Sequence, residues 1–179
     1  MTMLENGALF FTRLDLLGDP FEAFNGIRNK ALIWDTNDPA LIRANIKMRE
    51  FADQTLRDFK QRTEVRCWHM NDCESAGMWT QYDKTTDALC IESTYSAFRA
   101  CLDQKIHLGV VRYGDAYPTD LREAAMHKSK EYRHEQEVRA YHFNTSDEIP
   151  SLGRNVQVGL ERLIAMIYVA PNSNPWFGP

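Results

Sequence analysis

One stretch of this chain constrains its fold more than any other. Between residues 39 and 60, Leu41, Ala44, Met48, Phe51, Leu56 and Phe59 recur at helical spacing. That pattern predicts a long helix with one buried stripe. Asp38 stands where a helix N-cap belongs, and Pro39 fits the first helical position. The β-type runs are all short: 8–14, 64–70, 88–93, 106–113, 137–143, "VQVGL" and "IAMIYVA". Of these, 88–93 reads as a buried strand. Helical segments at 72–82, 94–102 and the centre of 118–129 fall among them without a regular βαβ rhythm. The reading is α+β, with a central, mainly antiparallel sheet and flanking helices.

A chain of 179 residues suits a single domain, with a core over 8–170 and a tail over 171–179 that carries Trp176 and Phe177. Loops are expected over 24–38 and 147–155. The net charge of −4 argues against a general nucleic-acid coat. The local basic excess over 43–66 reads as a solvated helix face. No apolar run reaches bilayer length, so no membrane partner is expected. The opening "MTMLENGALFF" lacks the basic and apolar regions of a signal peptide. Four cysteines do not make a disulfide framework at this length. A cytoplasmic protein with reduced thiols is expected.

The chemistry concentrates in "KSKEYRHEQEVRAYHF" (128–143). In a strand, residues two apart share a face, so Glu135, Glu137, Arg139 and Tyr141 line one side. Val138, Ala140 and His142 line the other. Two neighbouring carboxylates repel, and one pKa rises unless a cation lies between them. Arg139 is placed to neutralise Glu137, and Lys128 or Arg133 to reach Glu135. The plainer reading is an ion-pair ladder on a solvent-facing strand, worth little energetically.

Trp79 and Tyr82 share a helix face, and with Tyr132 they would make an aromatic wall for a flat ring. Core packing with satisfied polar tips is the commoner use of such residues. Ser75, one turn before Trp79, is a local cap or a ligand contact. The spacing Cys67-x-His69-x3-Cys73 offers three zinc-type donors without an obvious fourth, and no metal is expected. No phosphate loop or dinucleotide fingerprint is present.

Six collinear blocks carry a resemblance. They are Asp19-Pro20-Phe21-Glu22, Cys67-Trp68-His69, Met78-Trp79 with Tyr82, Cys90-Ile91, Val111 with Tyr113, and Lys128, Tyr132, Glu135, Glu137, Arg139. In order and spacing they resemble a bacterial family known as domain of unknown function 2971, over residues 8–176. Against that pattern the chain is shortened at both ends. The short N-terminus would leave the first strand as an exposed edge, which favours a homodimer. The resemblance implies a site built from the last block and the Trp79 helix, and no activity.

A second likeness is narrower. Ser93-Thr94 at a strand end, followed by Glu135-x-Glu137, is similar to elements of mono-ADP-ribosyltransferases. In those enzymes a hydroxyl braces the site and the second glutamate stabilises an oxocarbenium ion. The early-strand Arg or His those enzymes need has no counterpart here. Three functions follow as expectations. The first is a small-molecule or nucleotide-like binding domain using Arg139, Trp79, Tyr82, Ser93, Lys128, Tyr132 and Ser75. The second is an NAD-using enzyme of mono-ADP-ribosyltransferase or NAD-glycohydrolase type, with Glu137 and Glu135 as catalytic candidates. The third is a structural or interaction protein without a small-molecule site.

Overall fold

A computed structural model describes residues 3–18, 36–72, 77, 79–80, 87–114, 118 and 120–174. The fold is α+β with a five-stranded central sheet. The chain divides into two compact units. One comprises Met1–Leu9, Asn71–Gln104 and Val156–Pro179, the other Phe10–Met70 and Lys105–Asn155.

The second unit holds the long helix α2 (Pro39–Arg62), after the short α1 (Met3–Asn6) of the first. Asp38 caps α2 by accepting from the Ala40 amide at 2.8 Å, with Pro39 in its first turn. The sheet runs in the order β4 (His107–Val110), β7 (Glu137–Phe143), β2 (Thr63–His69), β1 (Ala8–Arg13), β8 (Gly153–Gln157). β1 pairs antiparallel with β2, and β7 pairs antiparallel with both β2 and β4. β1 is therefore an interior strand flanked by β2 and β8, not the exposed edge expected from a short N-terminus. The core of this unit gathers Leu14, Phe59, Val65, Ala124, Ala125 and Tyr141.

The helical stripe is buried at one end only. Phe59 is 6% exposed, whereas Leu41, Met48 and Phe51 are 38%, 49% and 70% exposed. Periodicity fixes which residues share a face, but not how far the rest of the chain reaches along that face. The segment read as one strand over 106–113 is two. β4 ends at Val110, and β5 (Arg112–Tyr113) pairs in parallel with β6 (His127–Lys128). Between β5 and β6 lies α4 (Leu121–Ala125), capped by Asp120, which accepts from the Glu123 amide at 2.8 Å. The loop expected over 147–155 gives way to β8 at Gly153.

In the first unit, β3 (Leu89–Glu92) pairs antiparallel with β9 (Met166–Val169). β3 was expected to be buried, but Leu89 is 42% exposed and its partner strand is open as well. A two-stranded ribbon has few neighbours to cover either face. Two short helices, α3 (Tyr95–Cys101) and α5 (Leu160–Leu163), complete the unit. Its buried residues include Leu9, Phe98, Leu102, Leu163 and Ala170. The Asp19–Glu22 turn, most of the 72–82 helix, and Trp176 and Phe177 lie outside the described residues.

Candidate functional site

The strand β7 carries the charged residues inward. Glu137 is 3% exposed and Arg139 is fully buried. The solvent-facing ladder is thus not what forms. Room for the guanidinium comes from the neighbours of Arg139 in the sheet. It stands opposite Cys67 on β2 and Gly109 on β4, a small side chain and none. Residues directly opposite share a face, so a long side chain fits between two short ones. A Cβ on Gly109 would already approach the Met126 methyl at 3.1 Å.

Arg139 Nε donates to Glu137 Oε1 at 2.5 Å and Nη2 to Oε2 at 3.2 Å, a two-pronged pair. Nη1 donates to the Ala125 carbonyl at 2.7 Å, at the end of α4. Lys128 Nζ reaches Glu137 Oε2 at 3.0 Å and Glu135 Oε2 at 2.5 Å. The ammonium thus lies between the two carboxylates that would otherwise repel. Its position follows from β6, where Lys128 is paired with Tyr113 of β5. The Tyr113 hydroxyl accepts from the Glu137 amide at 2.8 Å, beyond the last β4–β7 pair. A side chain takes over there from the strand ladder, and the buried N–H is satisfied.

Glu135 is not on the strand. It ends a 3-10 turn, Lys130–Glu135, and Gln136 follows in the left-handed region with φ 40°. Alternation therefore fails one residue before β7. The turn still delivers Glu135 to Lys128, and the Tyr132 ring lies 5.5 Å from the same ammonium. The Glu135 carbonyl accepts from His69 Nδ1 at 2.6 Å. The side chain of Glu135 is 18% exposed, against 4% for Glu137. The cluster thus has a closed end at Arg139 and a partly open end at Glu135 and Tyr132.

Burial acts to raise the Glu137 pKa, but the Arg139 charge, its hydrogen bonds and the Lys128 charge outweigh it. The carboxyl is held below its usual range and stays ionised. Burial pushes the Cys67 thiol up to about 12, against the opposing pull of Arg139. That thiol is no nucleophile at neutral pH. Burial likewise raises Tyr113, which stays a phenol. Among the described residues no group of three or more His, Cys, Asp or Glu is arranged to hold a metal ion.

The structure therefore brings together Lys128, Tyr132, Glu135, Glu137 and Arg139, all in the second unit. It adds Tyr113 and Cys67, to which sequence reasoning gave no part in the cluster. Their cross-strand partners, Lys128 and Arg139, are visible only once the register is known. Trp79 and Ser93 belong to the first unit. Ser93 is half-buried, its Oγ 3.4 Å from the Thr94 carbonyl, and Thr94 caps α3 by accepting from the Ala97 amide. Those neighbouring hydroxyls have local work at a helix start. Ser75 and Tyr82 lie outside the described residues. Open hollows occur elsewhere among the described residues. One, of about 370 Å³, includes Cys101, Gly159 and Arg162; another, of about 200 Å³, lies on α2. Neither is lined by a residue of the charged cluster.

No protein-family model matches the sequence, and the comparisons with curated proteins and with solved structures found no match.

Proposed function

We propose that this chain is a small-molecule-binding domain whose ligand meets the Glu135, Lys128 and Tyr132 end of the charged cluster. The observation that carries the reading is the position of Lys128. Its ammonium is shared by Glu137 inside and Glu135 at the rim, with an aromatic ring beside it. Glu137 and Arg139 hold each other in place and form a fixed base for Lys128. Glu135 keeps an accessible carboxylate edge, and Tyr132 a half-buried ring. A carboxylate takes hydroxyl or amino donors, and a phenol ring stacks on a flat heterocycle. A nucleoside carries both features, so nucleotide-like ligands fit best. The proposed membership of the domain of unknown function 2971 family agrees with this placement through its last block. A cytoplasmic setting belongs to the same proposal; no described helix is long and apolar enough to cross a membrane.

The NAD-cleaving alternative asks Glu137 to face a cationic transition state. Here Arg139 engages both Glu137 oxygens, and Lys128 adds a second contact to one of them. Both oxygens are engaged and the side chain is only 4% exposed, so Glu137 offers a ribose hydroxyl little access, and binding is the reading the geometry favours.

The test is a thermal-shift series with nucleosides, nucleotides and NAD, alongside an assay for released nicotinamide. At 100 times its Kd, a ligand selective for the native state adds about 2.7 kcal/mol. The expected result is stabilisation by at least one compound, lost in Tyr132→Ala and weakened in Glu135→Gln, with no nicotinamide formed. No shift across the series, or a shift indifferent to both substitutions, overturns the proposal.

A further inference from the structure

We infer that His69 is a positioning residue of the candidate site. Its ring, as the Nδ1–H tautomer, clamps the backbone turn that delivers Glu135 to Lys128. Only the effect on a ligand rests on the binding reading. His69 closes β2, where it stands opposite Glu137 of β7. Opposite residues share a face, so the ring lies on the side of the sheet that holds Glu137 and Arg139. Its Nδ1 lies 2.6 Å from the Glu135 carbonyl oxygen. A carbonyl only accepts, so Nδ1 carries the proton. A neutral imidazole has one N–H, and Nε2 is then a bare lone pair. Nε2 is buried and has no hydrogen-bond partner among the described residues. The opposite tautomer would have two faults. It would set a lone pair against the carbonyl oxygen and strand a buried N–H at Nε2.

The turn needs the clamp because its backbone is strained. Gln136 has φ 40° and ψ 54°, a left-handed conformation that a residue with a Cβ adopts at a cost. Such a residue persists where its surroundings hold it on several sides. Here the holds flank Gln136. The Glu135 carbonyl accepts from His69, and the Gln136 carbonyl accepts from the Met70 amide at 2.8 Å. Both donors stand at the end of β2, in consecutive residues. The Gln136 amide adds only a long bond of 3.4 Å to the Arg133 carbonyl. The left-handed residue is what takes Glu135 off the strand. The Glu135 carboxylate therefore meets Lys128 Nζ from the rim, while Glu137 meets it from inside. Without the His69 bond, Gln136 is released toward extended backbone, and Glu135 turns away from Lys128. The imidazole read as a zinc-type donor in the sequence thus has its Nδ1 engaged within the fold.

Long-range proton–nitrogen correlation of the imidazole rings tests the tautomer in the unaltered chain, at mildly alkaline pH where the ring is neutral. A protonated Nδ1 and a bare Nε2 are expected at His69; an Nε2–H ring overturns the inference. Amide exchange reads the clamp. His69→Phe keeps a flat ring without a donor, and His69→Asn puts an amide N–H where Nδ1 stood. The Met70 amide is expected to exchange at least about tenfold faster in H69F, as a local opening. Its rate is expected to return close to the unaltered value in H69N, with the Ala140 amide in mid-β7 unchanged in both. Equal acceleration of Met70 and Ala140, or no recovery in H69N, overturns the positioning role. For any nucleoside, nucleotide or NAD that stabilises the unaltered chain, the thermal shift is expected to fall in H69F and recover in H69N. A shift of one size in all three chains contradicts the link between clamp and site. If no compound shifts the unaltered chain, the binding reading falls, and the tautomer and exchange rates still decide the role of His69 on their own.

Discussion

Arg139 donates from Nη1 to the carbonyl of Ala125 at 2.7 Å, so a fully buried guanidinium ties β7 to the end of α4. The same group holds Glu137 with its other two nitrogens. A buried charge left without its partner is far more costly than the net worth of the pair. Glu137→Gln keeps the shape but removes the negative charge facing Arg139 and Lys128. The substitution is expected to cost about 3–5 kcal/mol, read as a lower urea midpoint at unchanged slope. A loss within about 0.5 kcal/mol, the range of an ordinary surface change, would remove the cluster from the architecture.

Acid should erase that difference. Glu137 has a folded pKa below its unfolded value, so the unfolded chain binds more protons in the window between them. Its contribution is complete above the ordinary glutamate value of about 4.3 and is lost as pH falls through the folded value. The stability gap between the unaltered chain and Glu137→Gln is therefore constant near neutrality and narrows in acid. A gap that widens on acidification would give the shift the opposite sign. Denaturant titrations at a series of pH values decide this.

Cys67 and Cys90 should differ sharply in reactivity. The Cys67 thiol, pushed up to about 12, is almost wholly protonated at pH 8, while Cys90 is exposed. Brief alkylation followed by peptide mapping should label Cys90 in the native protein, and Cys67 only after unfolding. Equal labelling rates would mean that the thiol is open to solvent.

At the start of β8 the backbone itself is the constraint. Gly153 has φ 135°, and a Cβ there would lie 2.0 Å from the Phe11 carbonyl oxygen of β1. Gly153→Ala is expected to cost at least about 3 kcal/mol, from strain and collision together. A thermal midpoint like that of the unaltered chain would show that β1 and β8 do not approach so closely.

How much was legible in the sequence depended on whether a signal was local. The strand at 137–143 and the Asp38 cap of α2 follow from alternation and from N-cap chemistry, and both stand as read. The pairing of Lys128 with Glu135 and of Arg139 with Glu137 was readable from charge and spacing. Glu135 was misplaced because Gln136 adopts a left-handed conformation that no glycine announces. The break at Val111 is set by a change of partner strand, from β7 to β6, which no window of sequence contains. The small neighbours of Arg139 are likewise facts of register. Cys67 and Gly109 are far apart along the chain, and only the sheet sets them on either side of the guanidinium.

The most direct test of the charged cluster is a carbon-13 NMR titration of the glutamate side-chain carboxyls, assigned by Glu137→Gln and Glu135→Gln. The Glu137 signal is expected to stay in its ionised position through the ordinary carboxylate range and to move only at more acidic pH. A Glu137 carboxyl that titrates at or above the ordinary value would contradict an ionised pair with Arg139. It would also remove the fixed base on which Lys128 and the proposed ligand site depend.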